Sequence, residues 1–244
     1  DDKSFTEGRH VTARNGMVVS AHFQGSRAGA EILMRGGNAV DAAVATGFAL
    51  AVCYPAAGNI GGGGFMLIRT AAGEYDLIDY REKAPLAASR DMYLDSAGNV
   101  VSSLSISTRL AAGVPGSVDG LIEVHSRYGK LKFRDVIRPA IDLARDGFLL
   151  TREQAWSLNM NENTFRERNP EGCAFIKKNG KWEEGDTLRQ PELASTLERI
   201  RDKGRDGFYS GSTSAFITEE MKRGNGIISA SDLKNYRSVF RKPL

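Results

Sequence analysis

Apolar positions follow two different periods along the chain, and the places where one gives way to the other outline its elements. Residues 16–22, GMVVSAH, form a short apolar run that predicts a strand. SRAGAEILMRGG (26–37) has helical spacing and stops at Gly36-Gly37, glycine being the residue that most readily ends a helix. Asn38 then stands as an N-cap with Asp41 three positions on, a capping box with Asp in place of Glu. The segment it opens, AVDAAVATGFALAVCY (39–54), is apolar on nearly every side and predicts a helix covered all round, ended by Pro55. After a glycine-rich stretch, FMLIRT (65–70) and YDLIDYR (75–81) read as two strands joined by the turn AAGE, a β-hairpin, and Ala84-Pro85 forces an extended exit.

The second half has helical periodicity almost throughout. Helices are predicted over 113–129, entered through a Pro-Gly turn, over 132–148, closed by Gly147, and over 151–168, where Thr151 and Gln154 make another capping box. Three more follow over 191–204, 210–226 and 229–236. The order is strand, two helices, hairpin and a run of helices, which is not the alternation of a doubly wound sheet. It predicts an α+β fold with helices segregated onto a largely antiparallel sheet.

Composition narrows the function more by exclusion than by indication. The 244 residues carry 33 basic and 30 acidic side chains, a net charge of +3 too balanced to argue for nucleic acid. The most apolar segment, 39–54, falls short of the ~20 residues needed to span a bilayer and contains Asp41, so no membrane span is expected. The polar start DDKSFTEGRH reads as a frayed end without a signal peptide. His10, His22 and His125 are scattered and form no ligand spacing, so neither a metal nor another cofactor is expected. Cys53 ends an apolar run and Cys173 lies in a polar loop; spacing leaves open whether they pair.

Two stretches invite a chemical reading. GNIGGGGF (58–65) has the glycine content of a phosphate loop, but it follows a helix and precedes a strand, the reverse of a dinucleotide fingerprint, and it lacks the Gly-Lys-Ser/Thr of a P-loop. The alternative is that the glycines let the buried helix cross tightly over the following strand. In DYREKAP (79–85), Asp79 and Arg81 share a face by the two-residue period. They form either a surface ion pair of little weight or, in the case of Arg81, a bidentate clamp for a carboxylate. No G-x-S-x-G is present, and the chain starts with Asp1, so it is not itself an N-terminal nucleophile of the Ser, Thr or Cys kind, and taken alone these motifs give it no catalytic centre.

Three blocks taken together carry a resemblance: GGNAVDAAVATGFALAVCYPAAGNIGGGGFMLIR (36–69), IDYREKAP (78–85) and AAGVPGSVDG (111–120), continued by LARDGF, GDTLRQPELASTLERI and GIISASDLKNY. In sequence, order and spacing they resemble the large subunit of γ-glutamyltransferases, over nearly the whole chain from about Val11 to Leu244. The resemblance implies the αββα sandwich of the N-terminal-nucleophile hydrolases, incomplete in this chain. Residues 1–244 would form one partial domain, the N-terminal part of a large subunit. The remainder of that subunit and the small subunit would come from the same self-cleaving precursor.

The nucleophile implied is the Thr that begins the small subunit, with its own α-amino group as base, which accounts for the absence of a histidine partner. The activity implied is transfer of the γ-glutamyl group of glutathione and related compounds to water, amino acids or peptides, in the periplasm or outside the cell. One family site residue falls within the chain: Arg81, matched to the arginine that grips the substrate α-carboxylate. No Thr-Thr pair occurs, and the oxyanion-hole glycines belong to the small subunit, so 61–64 are not that feature. A cephalosporin or glutaryl acylase of the same architecture and a non-catalytic homologue serving as a binding partner are the competing readings.

Overall fold

Helix α1 (Phe23–Met34) starts three residues before its expected beginning because His22 serves as its N-cap, Nδ1 accepting from Gln24 N–H at 3.3 Å. This computed structural model describes residues 12–243; the polar start read as frayed lies outside the described residues. Residues 16–20, read from sequence as part of a strand, form none. Their apolar character is spent on helix packing rather than on a ladder: Val18 lies against α1 at Gly29, while Val19 stays exposed with no neighbouring strand to cover it.

Helix α2 (Ala39–Cys53) has the expected capping box, with Asn38 accepting from Asp41 N–H and Asp41 accepting from Asn38 N–H, both at 2.9 Å. Eleven of its fifteen residues are buried, including the aspartate. The carboxylate is satisfied twice over, because it also accepts the backbone N–H groups of Lys130 and Leu131 at 3.0–3.3 Å. It thereby ties the start of α2 to the turn after α4 (Ser117–Tyr128). Val44, Phe48 and Val52 are fully covered, each such side chain contributing roughly 1.5–3 kcal/mol. Around α2 pack α1, α4, α5 (Phe133–Val136) and α6 (Arg138–Asp146). The single helix expected over 132–148 is broken at Ile137, since Pro139 in the first turn of α6 has no N–H to continue the preceding ladder.

Strands β1 (Phe65–Arg69) and β2 (Tyr75–Asp79) form the expected hairpin, with Leu67 opposite Leu77. A third strand not foreseen, β5 (Val239–Arg241), pairs antiparallel with β2 and gives the sheet order β1-β2-β5. Ile68 and Ile78 are buried on the sheet's inner face, whereas Phe65, Leu67, Tyr75 and Val239 stand exposed on the other. The remaining helices are α3 (Ser102–Ser107), α7 (Arg152–Met160), α8 (Glu162–Arg168), α9 (Pro191–Lys203), α10 (Asp206–Tyr209), α11 (Gly211–Arg223) and α12 (Ala230–Asn235). A two-residue ladder joins β3 (Phe148–Leu149) to β4 (Thr187–Leu188). The α+β class holds, and one continuous core of buried side chains runs from Ile32 to Tyr236. Both cysteines are free; burial pushes the Cys53 thiol up to about 11.

Candidate functional site

The three sequence blocks that carry the resemblance meet around residues 80–83. From the first comes the glycine loop. Gly58 lies on the backbone of α2 at Leu50, and Gly63 lies so close to the main chain after β2 that a Cβ there would stand 2.5 Å from the Tyr80 carbonyl oxygen and 2.8 Å from Arg81 Cα. The loop is therefore a packing device: its glycines bring α2, the hairpin and the segment after it into main-chain contact. The Gly62 carbonyl accepts from Gly116 and Ser117 N–H at 2.7 and 2.9 Å, joining the loop to the start of α4.

The third block enters from the other side. Lys83 and Val114 exchange backbone hydrogen bonds of 3.2 and 2.8 Å, and Gly120 of α4 seats the Tyr80 ring. Arg81 is thus held between two backbone segments while its guanidinium projects outward, its side chain 62% exposed. The Asp79–Arg81 ion pair, one of the two alternatives for this motif, is not formed. Asp79 instead accepts the Arg81 backbone N–H at 3.0 Å and the Arg241 Nε–H at 2.8 Å, and these donors hold its carboxyl below the usual carboxylate range. The Arg81 guanidinium meets Glu82 Oε2 at 3.1 Å. Such an exposed pair contributes at most about 1 kcal/mol, so another carboxylate of better geometry displaces Glu82 at little cost.

Behind Arg81 lies a polar network that periodicity does not reveal. The Tyr236 hydroxyl donates to the Arg81 carbonyl at 2.7 Å, and its ring stacks on Tyr209 with a 5° interplanar angle at 5.8 Å. The Tyr209 hydroxyl donates to the Pro115 carbonyl at 2.8 Å. Asp119, fully buried, accepts from Arg205 Nε at 2.7 Å and from Ser238 N–H and Oγ–H at 2.7 and 2.8 Å. Arg205 also donates to the Tyr236 carbonyl. Burial, with Asp119 adding to it, pushes the Tyr236 hydroxyl up, so it keeps its proton and remains a donor. Asp119 and Tyr236 did stand in the quoted blocks VPGSVDG and SDLKNY; the sequence signal was their presence there, not their spacing.

Among the described residues no group of three or more His, Cys, Asp and Glu side chains is placed to hold a metal ion, and no helix is long and apolar enough to cross a membrane. A family model described as gamma-glutamyltranspeptidase matches residues 25–244. A glutathione hydrolase proenzyme of Pseudomonas sp. (strain A14) is 47% identical over 235 residues, which cover 96% of this chain and 41% of the relative. The solved gamma-glutamyltranspeptidase of Helicobacter pylori aligns with a TM-score of 0.92 and 44% identity over 96% of this chain and 68% of that one. A solved cephalosporin acylase from Bacillus halodurans aligns with a TM-score of 0.85 at 25% identity, over 100% of this chain and 47% of that one. The chain spans less than half the length of the curated relatives it matches.

Proposed function

The chain belongs to the gamma-glutamyltranspeptidase family, and on that footing we propose that it is the N-terminal part of the large subunit of a glutathione hydrolase. In this reading residues 1–244 form one partial domain, completed by the rest of the precursor. The open face of the β1-β2-β5 sheet meets a second sheet to make the αββα sandwich, and the nucleophilic Thr arrives on the small subunit. That Thr takes the γ-glutamyl group of glutathione or a related compound as an ester. Water, an amino acid or a peptide then releases it. The location proposed is the periplasm or the cell exterior, as the resemblance implies.

Arg81 is the residue of this chain that we place on the substrate. The observation supporting it is an outward-pointing guanidinium on a pinned main chain, paired only with an exposed neighbour. A planar fork held in this way grips the α-carboxylate bidentately and orients the γ-carbonyl toward the nucleophile. Charge-assisted hydrogen bonds of this kind contribute roughly 1.5–3 kcal/mol, so Arg81→Ala in the full-length processed enzyme lowers kcat/KM for γ-glutamyl-p-nitroanilide about tenfold to a hundredfold. Arg81→Lys, which keeps the charge and loses the fork, restores only part of it. Unchanged kinetics in both variants would sink the assignment. A glutaryl acylase activity is the second reading, favoured by the alignment with the cephalosporin acylase. Relative turnover of γ-glutamyl-p-nitroanilide and glutaryl-cephalosporin separates the two.

A further inference from the structure

Residues 236–241 run from the end of α12 into β5, and the Arg81 main chain is tied to this short strap, its carbonyl directly and its N–H through Asp79. The carbonyl accepts the Tyr236 hydroxyl at 2.7 Å, from 155 residues away in sequence. The N–H donates to Asp79 Oδ1 at 3.0 Å, and the other oxygen of Asp79 accepts Arg241 Nε at 2.8 Å. The strap is in turn fixed to the helical layer. Ser238 donates twice to the buried Asp119, and Arg205 bridges that carboxylate to the Tyr236 carbonyl. The Tyr236 ring is held on Tyr209, with Lys83 Nζ 5.1 Å from its centroid. No buried side-chain nitrogen or oxygen among the described residues lacks a hydrogen-bond partner, so the network is complete as built.

Attachment of β5 to the sheet does not require this hydroxyl. The β2–β5 ladder, the Arg241–Asp79 pair and the Ser238–Asp119 bonds already make that attachment. The Tyr236 hydroxyl adds one thing, a fixed height for the Arg81 main chain at the point where the strand pairing has ended. We infer that Tyr236 is a positioning residue for substrate binding: its hydroxyl fixes the Arg81 main chain and, through it, where the guanidinium meets the substrate's α-carboxylate. The inference rests on the reading of Arg81 as the carboxylate clamp. Tyr236 touches no reacting atom. Its effect belongs in the binding of substrate rather than in the chemical step, because a misplacement of the clamp by a fraction of an ångström weakens a bidentate contact first.

The test uses the full-length processed enzyme with γ-glutamyl-p-nitroanilide, in four forms: unaltered, Tyr236→Phe, Arg81→Lys, and both together. Tyr236→Phe keeps the ring, its stacking on Tyr209 and the apolar contacts, and removes only the hydroxyl. It is expected to raise KM about five- to tenfold while kcat stays within about twofold. In the Arg81→Lys background the same change is expected to have little further effect, because the geometry it protects is already lost. Impaired Arg81→Lys alongside an unaltered KM in Tyr236→Phe overturns the positioning role alone. So does an equal loss from Tyr236→Phe in both backgrounds, which marks an effect independent of the clamp, or a fall in kcat at constant KM, which marks an effect outside substrate binding. Normal kinetics in Arg81→Lys overturns the clamp and the positioning role with it.

Discussion

His22 occupies a place where a single proton changes the balance of folding. Its Nδ1 accepts the Gln24 N–H in the first turn of α1 at 3.3 Å, so the neutral ring carries its hydrogen on Nε2, which faces Gln154 Oε1 at 3.3 Å. Protonation would replace the cap acceptor with a donor pointed at the positive end of a helix. Burial lowers the His22 pKa from its ordinary value of 6.5, against a smaller opposing effect of the Gln154 hydrogen bond. The sign follows from linkage. Above the unfolded value both states are neutral and the full stability is present. As pH falls below it, the unfolded chain takes up the proton first, and unfolding free energy is lost at up to about 1.4 kcal/mol per pH unit until the folded pKa is passed. The full-length protein is therefore expected to lose thermal stability between pH 7.5 and 5.5, and His22→Asn, which keeps a cap acceptor but does not titrate, to lose measurably less. Parallel Tm-against-pH curves for the two proteins would refute the assignment.

At the scale of elements, the caps and the local β1–β2 hairpin were readable and the long-range ladders were not. The Asn38–Asp41 and Thr151–Gln154 boxes are local, set by side chains three residues apart, and both form as their spacing predicts. Strand β5 pairs with a segment some 160 residues earlier, and nothing in VFR announces that partner. The apolar run at 16–20 illustrates the converse, strand-like in pattern but laid against α1 because no strand edge is offered to it. Likewise the Tyr236 and Asp119 network behind Arg81 depends on contacts that only the tertiary fold creates. Asp41 shows how far a local motif reaches beyond its own element. Because it also accepts from Lys130 and Leu131, Asp41→Ala leaves partly buried backbone donors without partners both at the start of α2 and in the turn after α4, and is expected to cost about 3 kcal/mol. Asn38→Ser, which retains a capping oxygen and gives up only the Asn38 Nδ2 bond to the Tyr128 carbonyl at 2.6 Å, is expected to cost about 1 kcal/mol. Chemical denaturation of the two variants measures the difference. Equal losses would mean that the aspartate acts only as a cap.

At the scale of the molecule, the sheet is finished on one face and open on the other. Alternation along β1 and β2 sends Ile68 and Ile78 into the core and leaves Phe65, Leu67 and Tyr75 outside, with Leu67 62% exposed. Both edges, β1 and β5, also end without a further strand in the described sheet. An apolar face bounded by unpaired backbone donors and acceptors is a template for association, and in the proposed assembly the second sheet of the sandwich covers it. Residues 1–244 produced alone are therefore expected to self-associate, and production together with the rest of the precursor to suppress this. Replacing Phe65 and Leu67 by lysine places charge on the open face without touching the core side and is expected to shift the isolated segment toward monomer. Sedimentation at several concentrations reads all three samples. A clean monomer from the unaltered segment would show that this face needs no cover, and the sandwich would then have to be sought on another surface.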